Sequence, residues 1–160
     1  MKLNKILVPL DGSTLAEDAL PAACDFADRD GATISLLRAA EAMTRPGGDT
    51  VDAQVMAVRE AEEYLASVVR RLEDKGVRRV ETHVWYGPPA AAIVEAATVQ
   101  KADLIVMSTH GRSGLGCLVL GSVAESVLRG TTAPILIVRA GYALVDVLRG
   151  ALDAKGAAHV

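Results

Sequence analysis

The chain has 160 residues, of which 51% are hydrophobic but only 3% aromatic, and it carries a formal net charge of −3. This length suits one domain, while the acidic balance and the scarcity of aromatic residues disfavour a nucleic-acid-binding protein. The two cysteines, Cys24 and Cys117, are too few and too far apart for a metal knuckle or a redox CxxC pair.

The first element is a continuous apolar run, Ile6–Leu10, which is typical of a buried parallel strand. The turn residues Asp11-Gly12-Ser13 follow it. Thr14 and Glu17 then have the spacing of a capping box and predict a helix to about Asp28, bent at Pro21. Because the apolar run is too short for a signal peptide or a membrane span, we expect a cytoplasmic protein with no membrane contact.

The middle of the chain continues this alternation of strands and helices. It predicts a strand at Thr33–Leu37, a loop at Ala40–Asp49 and a strand at Val80–Tyr86. Between the loop and that strand, Val55, Val58, Leu65, Val69 and Leu72 recur at helical spacing. They predict a long helix from about Val51 to Lys75, which Gly76 ends.

The last third predicts a helix, a strand, a glycine-rich loop, a helix that opens with a second capping box (Ser122 and Glu125), and a final strand. The first helix is expected at Ala90–Lys101 and the strand after it at Leu104–Met107. The loop covers Gly111–Gly121, the second helix begins at Ser122, and the final strand is Ile135–Val138.

Strands and helices that alternate in this way predict an α/β fold, with a doubly wound, open, five-stranded parallel sheet and helices on both faces. We expect one domain at residues 1–140. A partly helical tail follows at residues 141–160, where Leu144, Val147, Leu148 and Leu152 form an apolar patch. Sheets of this kind bind ligands beyond the carboxyl ends of their strands.

The glycine-rich loop before Ser122 is the strongest candidate site in the sequence. Glycines let a phosphate approach the backbone, and the following helix N-terminus offers N–H groups from Ser122, Val123 and Ala124. Two common phosphate motifs are excluded. Ser122 and Val123 stand where a Walker A motif needs Lys and Ser/Thr, and Val119 stands where a dinucleotide motif needs its third glycine.

Several separated motifs together resemble the universal stress protein family, and the resemblance covers Leu3–Arg139. The motifs follow the family's order: Ile6–Ser13, Ala102–Met107, His110–Gly114, Leu120–Glu125 and Ala133–Val138. Gly111, nine intervening residues, Gly121 and Ser122 fit the pattern of the family's ATP-binding members, Gly-x2-Gly-x9-Gly-Ser/Thr. Ser108 stands where that pattern has its first glycine.

The resemblance implies strand order 3-2-1-4-5, an adenine nucleotide alpha-hydrolase-like fold, and an ATP site. Adenine would border the backbone of Ala39 and the side chain of Met107, and Asp11 would lie near the ribose and an accompanying Mg²⁺ or Mn²⁺. The phosphates would contact Gly111, Arg112, Gly121, Ser122 and Val123. The full set of nucleotide-binding residues is Pro9, Leu10, Asp11, Ala39, Met107, Ser108, Gly111, Arg112, Gly121, Ser122 and Val123, with Asp11 as the metal ligand.

The family also implies a homodimer that is joined through the last strand, Ile135–Val138, and that acts in stress signalling. The alternative is that the tail covers this edge of the sheet.

We expect a binding protein and not an enzyme, although slow ATP hydrolysis is compatible with the site. His110 has no partner at a catalytic spacing. The competing interpretation is a structural or chaperone-like dimer that binds no nucleotide, which Ser108 favours. A hydrolase of the same fold ranks last, because Asp11–Thr14 is a poor pyrophosphate loop.

Overall fold

A computed structural model of the protein describes residues 2–41, 50–109 and 120–139. Its elements alternate in the predicted manner, with two short helices where one was expected. In chain order they are β1 (Lys5–Pro9), α1 (Thr14–Glu17), α2 (Leu20–Asp30), β2 (Thr33–Ala40), α3 (Thr50–Asp74), β3 (Val80–Tyr86), α4 (Pro89–Val99), β4 (Leu104–Thr109), α5 (Ser122–Gly130) and β5 (Ile135–Arg139).

The five strands form one parallel sheet in the order β3-β2-β1-β4-β5, which confirms the predicted fold class and strand order. β1 lies at the centre, paired with β2 from Lys5↔Thr33 to Pro9↔Leu37. On its other side it pairs with β4 at only two positions, Ile6↔Leu104 and Leu7↔Ile105. In this order the chain adds strands on one side of β1 up to β3 and then on the other side from β4. Sheets of this type open a crevice at that point, between β1 and β4.

Two hydrophobic clusters cover the two faces of the sheet. On one face, Val8 and Leu36 pack against α2 and α3, whose buried residues include Ala23 and Leu65. On the other face, Leu7 and Ile105 pack against α4 and α5. Alternate residues of a strand point to opposite faces, so the continuous apolar runs seen in the sequence bury both faces of the sheet at once.

The helix predicted after β1 is two helices, separated at Asp18 and Ala19. Pro21 lies in the first turn of α2, where its missing N–H costs nothing, and so it starts a helix instead of bending one. The cap is also one residue earlier than predicted: Ser13 Oγ accepts a hydrogen bond from the Ala16 N–H at 3.1 Å.

The predicted cap of α5 is wrong, whereas the long helix predicted from about Val51 to Lys75 is confirmed as α3. Gly121, and not Ser122, is the N-cap of α5, and no side chain in the described part of the chain caps that helix. Glu125 instead pairs with Arg129 one turn later. In α3, Val55 is 52% exposed although it continues the apolar repeat, because the packed part of that helix begins further along, at Ala61. The predicted tail and most of the predicted loop at 40–49 lie outside the described residues.

Candidate functional site

A cavity of about 570 Å³ opens at the carboxyl edge of the sheet. It forms there because β1 and β4 separate after Leu7 and Ile105, so their ends leave space between the helices of the two faces. A volume of this size falls within the range of small-molecule sites. Among the described residues, its lining is Pro9, Leu10, Asp11, Leu15, Ala16, Leu37, Arg38, Ala39, Ala40, Glu41, Ala57, Glu60, Pro89, Ile93, Met107, Ser108, Thr109, Gly121, Ser122, Val123 and Ala124.

Nine of the eleven residues predicted to bind a ligand line this one cavity, although they come from four separate parts of the chain. These nine are Pro9, Leu10, Asp11, Ala39, Met107, Ser108, Gly121, Ser122 and Val123. Gly111 and Arg112 lie outside the described residues. The fold thus brings together residues that lie more than a hundred positions apart in the sequence, such as Pro9 and Val123.

Ala39 presents its backbone to the cavity. The N–H of Thr33 bonds to Asn4 and the carbonyl of Leu37 accepts from Leu10, so the odd-numbered residues of β2 bond toward β1. β1 ends at Pro9, opposite Leu37, whereas β2 continues to Ala40. The N–H and carbonyl of Ala39 therefore face the cavity beyond the end of β1, where they can bond to the edge of a planar base.

Met107 forms part of the apolar wall of the cavity. Its side chain is only 7% exposed and packs in the same cluster as Leu37 and Ile93. The residue is therefore both a core residue and a lining residue, because the cavity opens directly above this cluster.

Asp11 braces the turn that follows β1. Its Oδ1 accepts hydrogen bonds from the backbone N–H of Ser13 at 2.8 Å and from the Ser13 hydroxyl at 2.6 Å. Its Oδ2 accepts no hydrogen bond within the described residues and lies on an exposed side chain at the cavity. One oxygen thus holds the turn while the other can accept a hydroxyl or join the coordination of a cation.

The N-terminus of α5 forms the opposite side of the cavity. The first intrahelical bond of α5 runs from the Glu125 N–H to the Gly121 carbonyl at 2.9 Å, which leaves the N–H groups of Ser122, Val123 and Ala124 without helical partners. Among the residues that the structure describes, no side chain caps them. Free N–H groups and the positive end of the helix dipole favour an anion at this position.

Arg38 and Glu60 also line the cavity, although neither is among the residues predicted to bind the ligand. The Arg38 side chain is 17% exposed and lies 4.8 Å over the ring of Tyr64, with its Nη2 atom 3.3 Å from Glu60 Oε1. The only available signal was the position of Arg38 at the end of a buried strand, where an apolar residue is usual.

A polar network behind Arg38 fixes the Tyr64 ring. The Tyr64 hydroxyl donates to Glu17 Oε1 at 2.9 Å, and Arg71 donates to both oxygens of the same carboxylate at 2.8 and 2.9 Å. The hydrogen bonds from Arg71 lower the pKa of Glu17, while burial and the bond to Glu17 raise the pKa of Tyr64. Both side chains therefore keep fixed protonation states near neutral pH, and α1 is held against α3.

Neither metal clusters nor membrane spans are found in the parts of the chain that the structure describes. No group of three or more His, Cys, Asp or Glu side chains in residues 2–41, 50–109 and 120–139 is placed to hold a metal ion. Within those same ranges, none of the helices combines the length and apolarity needed to cross a membrane.

Comparison with known proteins places the chain in a family. Residues 2–139 match the sequence profile described as the Universal stress protein family. Universal stress protein MJ0531 of Methanocaldococcus jannaschii is 34% identical over 140 residues, which are 85% of this chain and 82% of that protein.

Solved structures agree with this match. A universal stress protein family protein from Burkholderia pseudomallei is 29% identical with a TM-score of 0.69, over 86% of this chain and 96% of that one. A universal stress protein in complex with cAMP is 26% identical with a TM-score of 0.58, over 88% of this chain and all of the other. The family profile, the sequence relatives and the shared fold lead to one conclusion: the chain belongs to the universal stress protein family.

Proposed function

We propose that this protein binds an adenine nucleotide, with ATP as its ligand, and that it acts as a homodimeric signalling module in stress adaptation. The observation that carries the proposal is that nine of the residues predicted to bind a nucleotide line one cavity at the carboxyl edge of the sheet. Binding, and not turnover, is the activity that we assign to it.

Each part of a nucleotide has a matching group in this cavity. The backbone of Ala39 and the apolar side chain of Met107 suit the edge and face of adenine. The free carboxylate oxygen of Asp11 suits a ribose hydroxyl. The N–H groups of Ser122 and Val123 suit the phosphates, because an anion gains from hydrogen bonds and from the helix dipole together.

Asp11 is also the residue that would hold Mg²⁺ or Mn²⁺ beside the phosphates. Its Oδ2 is not engaged within the described residues, whereas Oδ1 is engaged twice by Ser13. A single carboxylate oxygen fits a cation whose remaining ligands are phosphate oxygens and water, as Mg²⁺ prefers. Such a cation would neutralise phosphate charge next to Asp11.

The comparisons support a nucleotide as the ligand class. The relative at 26% identity that is described in complex with cAMP shares the fold over its whole length. Its cyclic nucleotide has the adenine and ribose for which the cavity of this chain offers contacts.

β5 supports the homodimer. It lies at one edge of the sheet, and its first three residues, Ile135, Leu136 and Ile137, are only partly buried. An apolar edge strand is prone to pair with another chain. We propose that two copies pair through β5, in the cytoplasm, where free thiols such as Cys24 are stable.

Native mass spectrometry tests the ligand and the dimer together. Protein purified without added nucleotide is measured alone and then titrated with Mg-ATP. We expect a dimer that retains or takes up about one adenine nucleotide per chain at micromolar ATP. A dimer that remains empty at millimolar ATP would reject nucleotide binding and favour the structural or chaperone-like alternative.

A further inference from the structure

Arg38 is a cation held at the cavity wall with most of its donors unused. Its side chain is 17% exposed and lines the cavity. A guanidinium has five N–H donors, yet within the described residues Arg38 makes one hydrogen bond, a long one of 3.3 Å to Glu60. Glu60 is 76% exposed, so this pair is open to water and weak.

A cation–π contact with Tyr64 helps to hold the guanidinium in place. Its Cζ atom lies over the Tyr64 ring, 4.8 Å from the ring centroid, and the Tyr64 hydroxyl donates a hydrogen bond to the Glu17 carboxylate. Arg38 also lies close to Gly12, where an added Cβ would be 2.9 Å from Nη1. An arginine fixed in this way loses little conformational entropy when it binds an oxyanion.

The charges around the cavity indicate what Arg38 is suited to bind. Among the described lining residues Arg38 is the only cation, and three carboxylates, those of Asp11, Glu41 and Glu60, also line the cavity. Glu60, which is exposed, accepts from one of the Arg38 donors. An anion that enters the cavity can take the place of Glu60 on that donor. Arginine favours planar, two-bond contacts to phosphate, which Glu60 does not satisfy.

We propose that Arg38 forms a second anion-binding position in the cavity, which takes a phosphoryl group on the 2′ or 3′ oxygen of the ribose. This proposal rests on the proposed adenine-nucleotide function. In that binding mode the 5′ phosphates lie at the N-terminus of α5, and the ribose lies beside Asp11. Arg38 lies close to Gly12, the neighbour of Asp11, so it faces the sugar oxygens and not the 5′ phosphates.

The two anion positions lie on opposite sides of β1. Arg38 is on β2, whereas α5 follows β4, and the strand order is β2-β1-β4. A ligand that is phosphorylated at both ends of the ribose can reach both positions. The ligand class is therefore a nucleoside bisphosphate, such as an adenosine 3′,5′- or 2′,5′-bisphosphate, bound in preference to 5′-AMP.

Isothermal titration of 5′-AMP and of adenosine 3′,5′-bisphosphate into four proteins tests this proposal. The proteins are the natural chain, R38Q, E60Q and the double variant. A charge-assisted contact of this type is worth about tenfold or more in affinity, so we expect the natural chain to prefer the bisphosphate by at least that factor. R38Q should remove the preference while its affinity for 5′-AMP stays within about threefold.

The effect of E60Q on the preference for the bisphosphate tests whether Arg38 binds the ligand, because a purely structural Arg38 would leave that preference unchanged. E60Q frees the guanidinium and should raise the preference for the bisphosphate by about two- to fivefold, the worth of an exposed ion pair. In the double variant the E60Q effect should vanish. If E60Q raises the preference equally without Arg38, Glu60 acts by repulsion alone and the proposal is wrong.

The failure of this proposal is distinct from the failure of the proposed function. If 5′-AMP binds but the bisphosphate binds no better, or if R38Q weakens both ligands equally, the second anion position does not exist. If neither nucleotide binds, adenine-nucleotide binding itself fails and the second position fails with it. If R38Q does not fold, R38K replaces it, because lysine keeps the charge but lacks the two-bond geometry of the guanidinium. R38K should then lower the preference for the bisphosphate, and E60Q should raise it. If the preference is unchanged in R38K or in E60Q, the proposal is wrong.

Discussion

The hydroxyl of Ser108 donates a hydrogen bond to the backbone carbonyl of Leu15, 93 positions earlier in the chain. This bond joins the end of β4 to α1 across the mouth of the crevice. It also engages the one hydroxyl that the sequence places where ATP-binding members of the family have glycine. The hydroxyl is therefore directed at α1, so it serves the wall of the cavity and leaves the interior open.

Ser108→Ala should destabilise the protein without changing ligand affinity. Loss of one partly buried hydrogen bond costs about 1 kcal/mol, which thermal unfolding measures. Nucleotide affinity should stay within about threefold, because the hydroxyl already points at Leu15. A large gain in affinity in Ser108→Gly, by contrast, would show that the serine side chain obstructs the ligand.

Gly121→Val should abolish the proposed nucleotide binding and leave the proposed dimer intact. Gly121 has φ −63° and ψ 155°, an extended conformation that valine adopts freely, so the backbone tolerates the change. The branched side chain would, however, block the approach of a phosphate to the N-terminus of α5. Titration calorimetry with Mg-ATP measures the effect.

Gly121→Ala is the graded control for that variant. Its single Cβ should weaken binding less than valine does. If Gly121→Val fails to fold while Gly121→Ala binds nucleotide normally, the glycine serves the backbone and not the ligand.

Gly12→Ala and Gly31→Ala form a matched pair. Both glycines have left-handed φ angles, +89° and +70°, so alanine should cost each protein about 1 kcal/mol of stability. Only at Gly12 would the new Cβ meet a neighbour, the Arg38 guanidinium at 2.9 Å; at Gly31 nothing lies within 4 Å.

The two variants should therefore differ in binding and not in stability. The end of the Arg38 side chain can move, which limits the energetic cost, but its donors then leave their place at the cavity. Gly12→Ala should lose the preference for adenosine 3′,5′-bisphosphate over 5′-AMP, and Gly31→Ala should keep it. Equal behaviour of the two in titration calorimetry would count against the role of Arg38.

Ile137→Pro should convert the proposed dimer to a monomer while the fold persists. The Ile105 N–H bonds to the Pro134 carbonyl, so by alternation Leu136 and Val138 bond to β4 while Ile135 and Ile137 direct their backbone groups outward. Proline at position 137 removes an outward N–H and keeps the bonds to β4. Light scattering gives the mass and circular dichroism checks the fold; a dimer that survives would place the interface elsewhere.

Glu17 should make a pH-dependent contribution to stability. Hydrogen bonds from Arg71 hold its folded pKa below the ordinary value of 4.5. Its contribution is therefore present above that value and is lost as the pH falls through the lower folded pKa. Glu17→Gln should be less stable at pH 7 by about 1 kcal/mol or less, since Arg71 is half exposed, and this difference should shrink toward pH 3.

Glu125→Gln is the control for the pH experiment. Its pair with Arg129 lies four residues along one exposed helix and is worth less than about 0.5 kcal/mol. Chemical denaturation at a series of pH values compares the two variants. A Glu17→Gln difference that grows as the pH falls would contradict the assignment.

The sequence by itself determined the elements, their order and the edge at which a ligand is expected. Continuous apolar runs such as Ile6–Leu10 and Leu104–Met107 indicate strands buried on both faces, because only such strands need no polar side. The family motifs then implied the strand order and the set of cavity residues. Helix ends were less certain, since Ser13, Thr14, Gly121 and Ser122 are all residues that favour caps, and local pattern does not choose between neighbours.

Only the tertiary structure decided how side chains meet across the sheet. Arg38 becomes a cavity residue because β2 runs past the end of β1, and its guanidinium is placed by Tyr64 and Gly12, which come from two other segments. Ser108 is likewise directed by a carbonyl from α1. Apolar periodicity records which face of an element is buried, but the contact of two distant side chains depends on strand register and helix packing, which no local pattern contains.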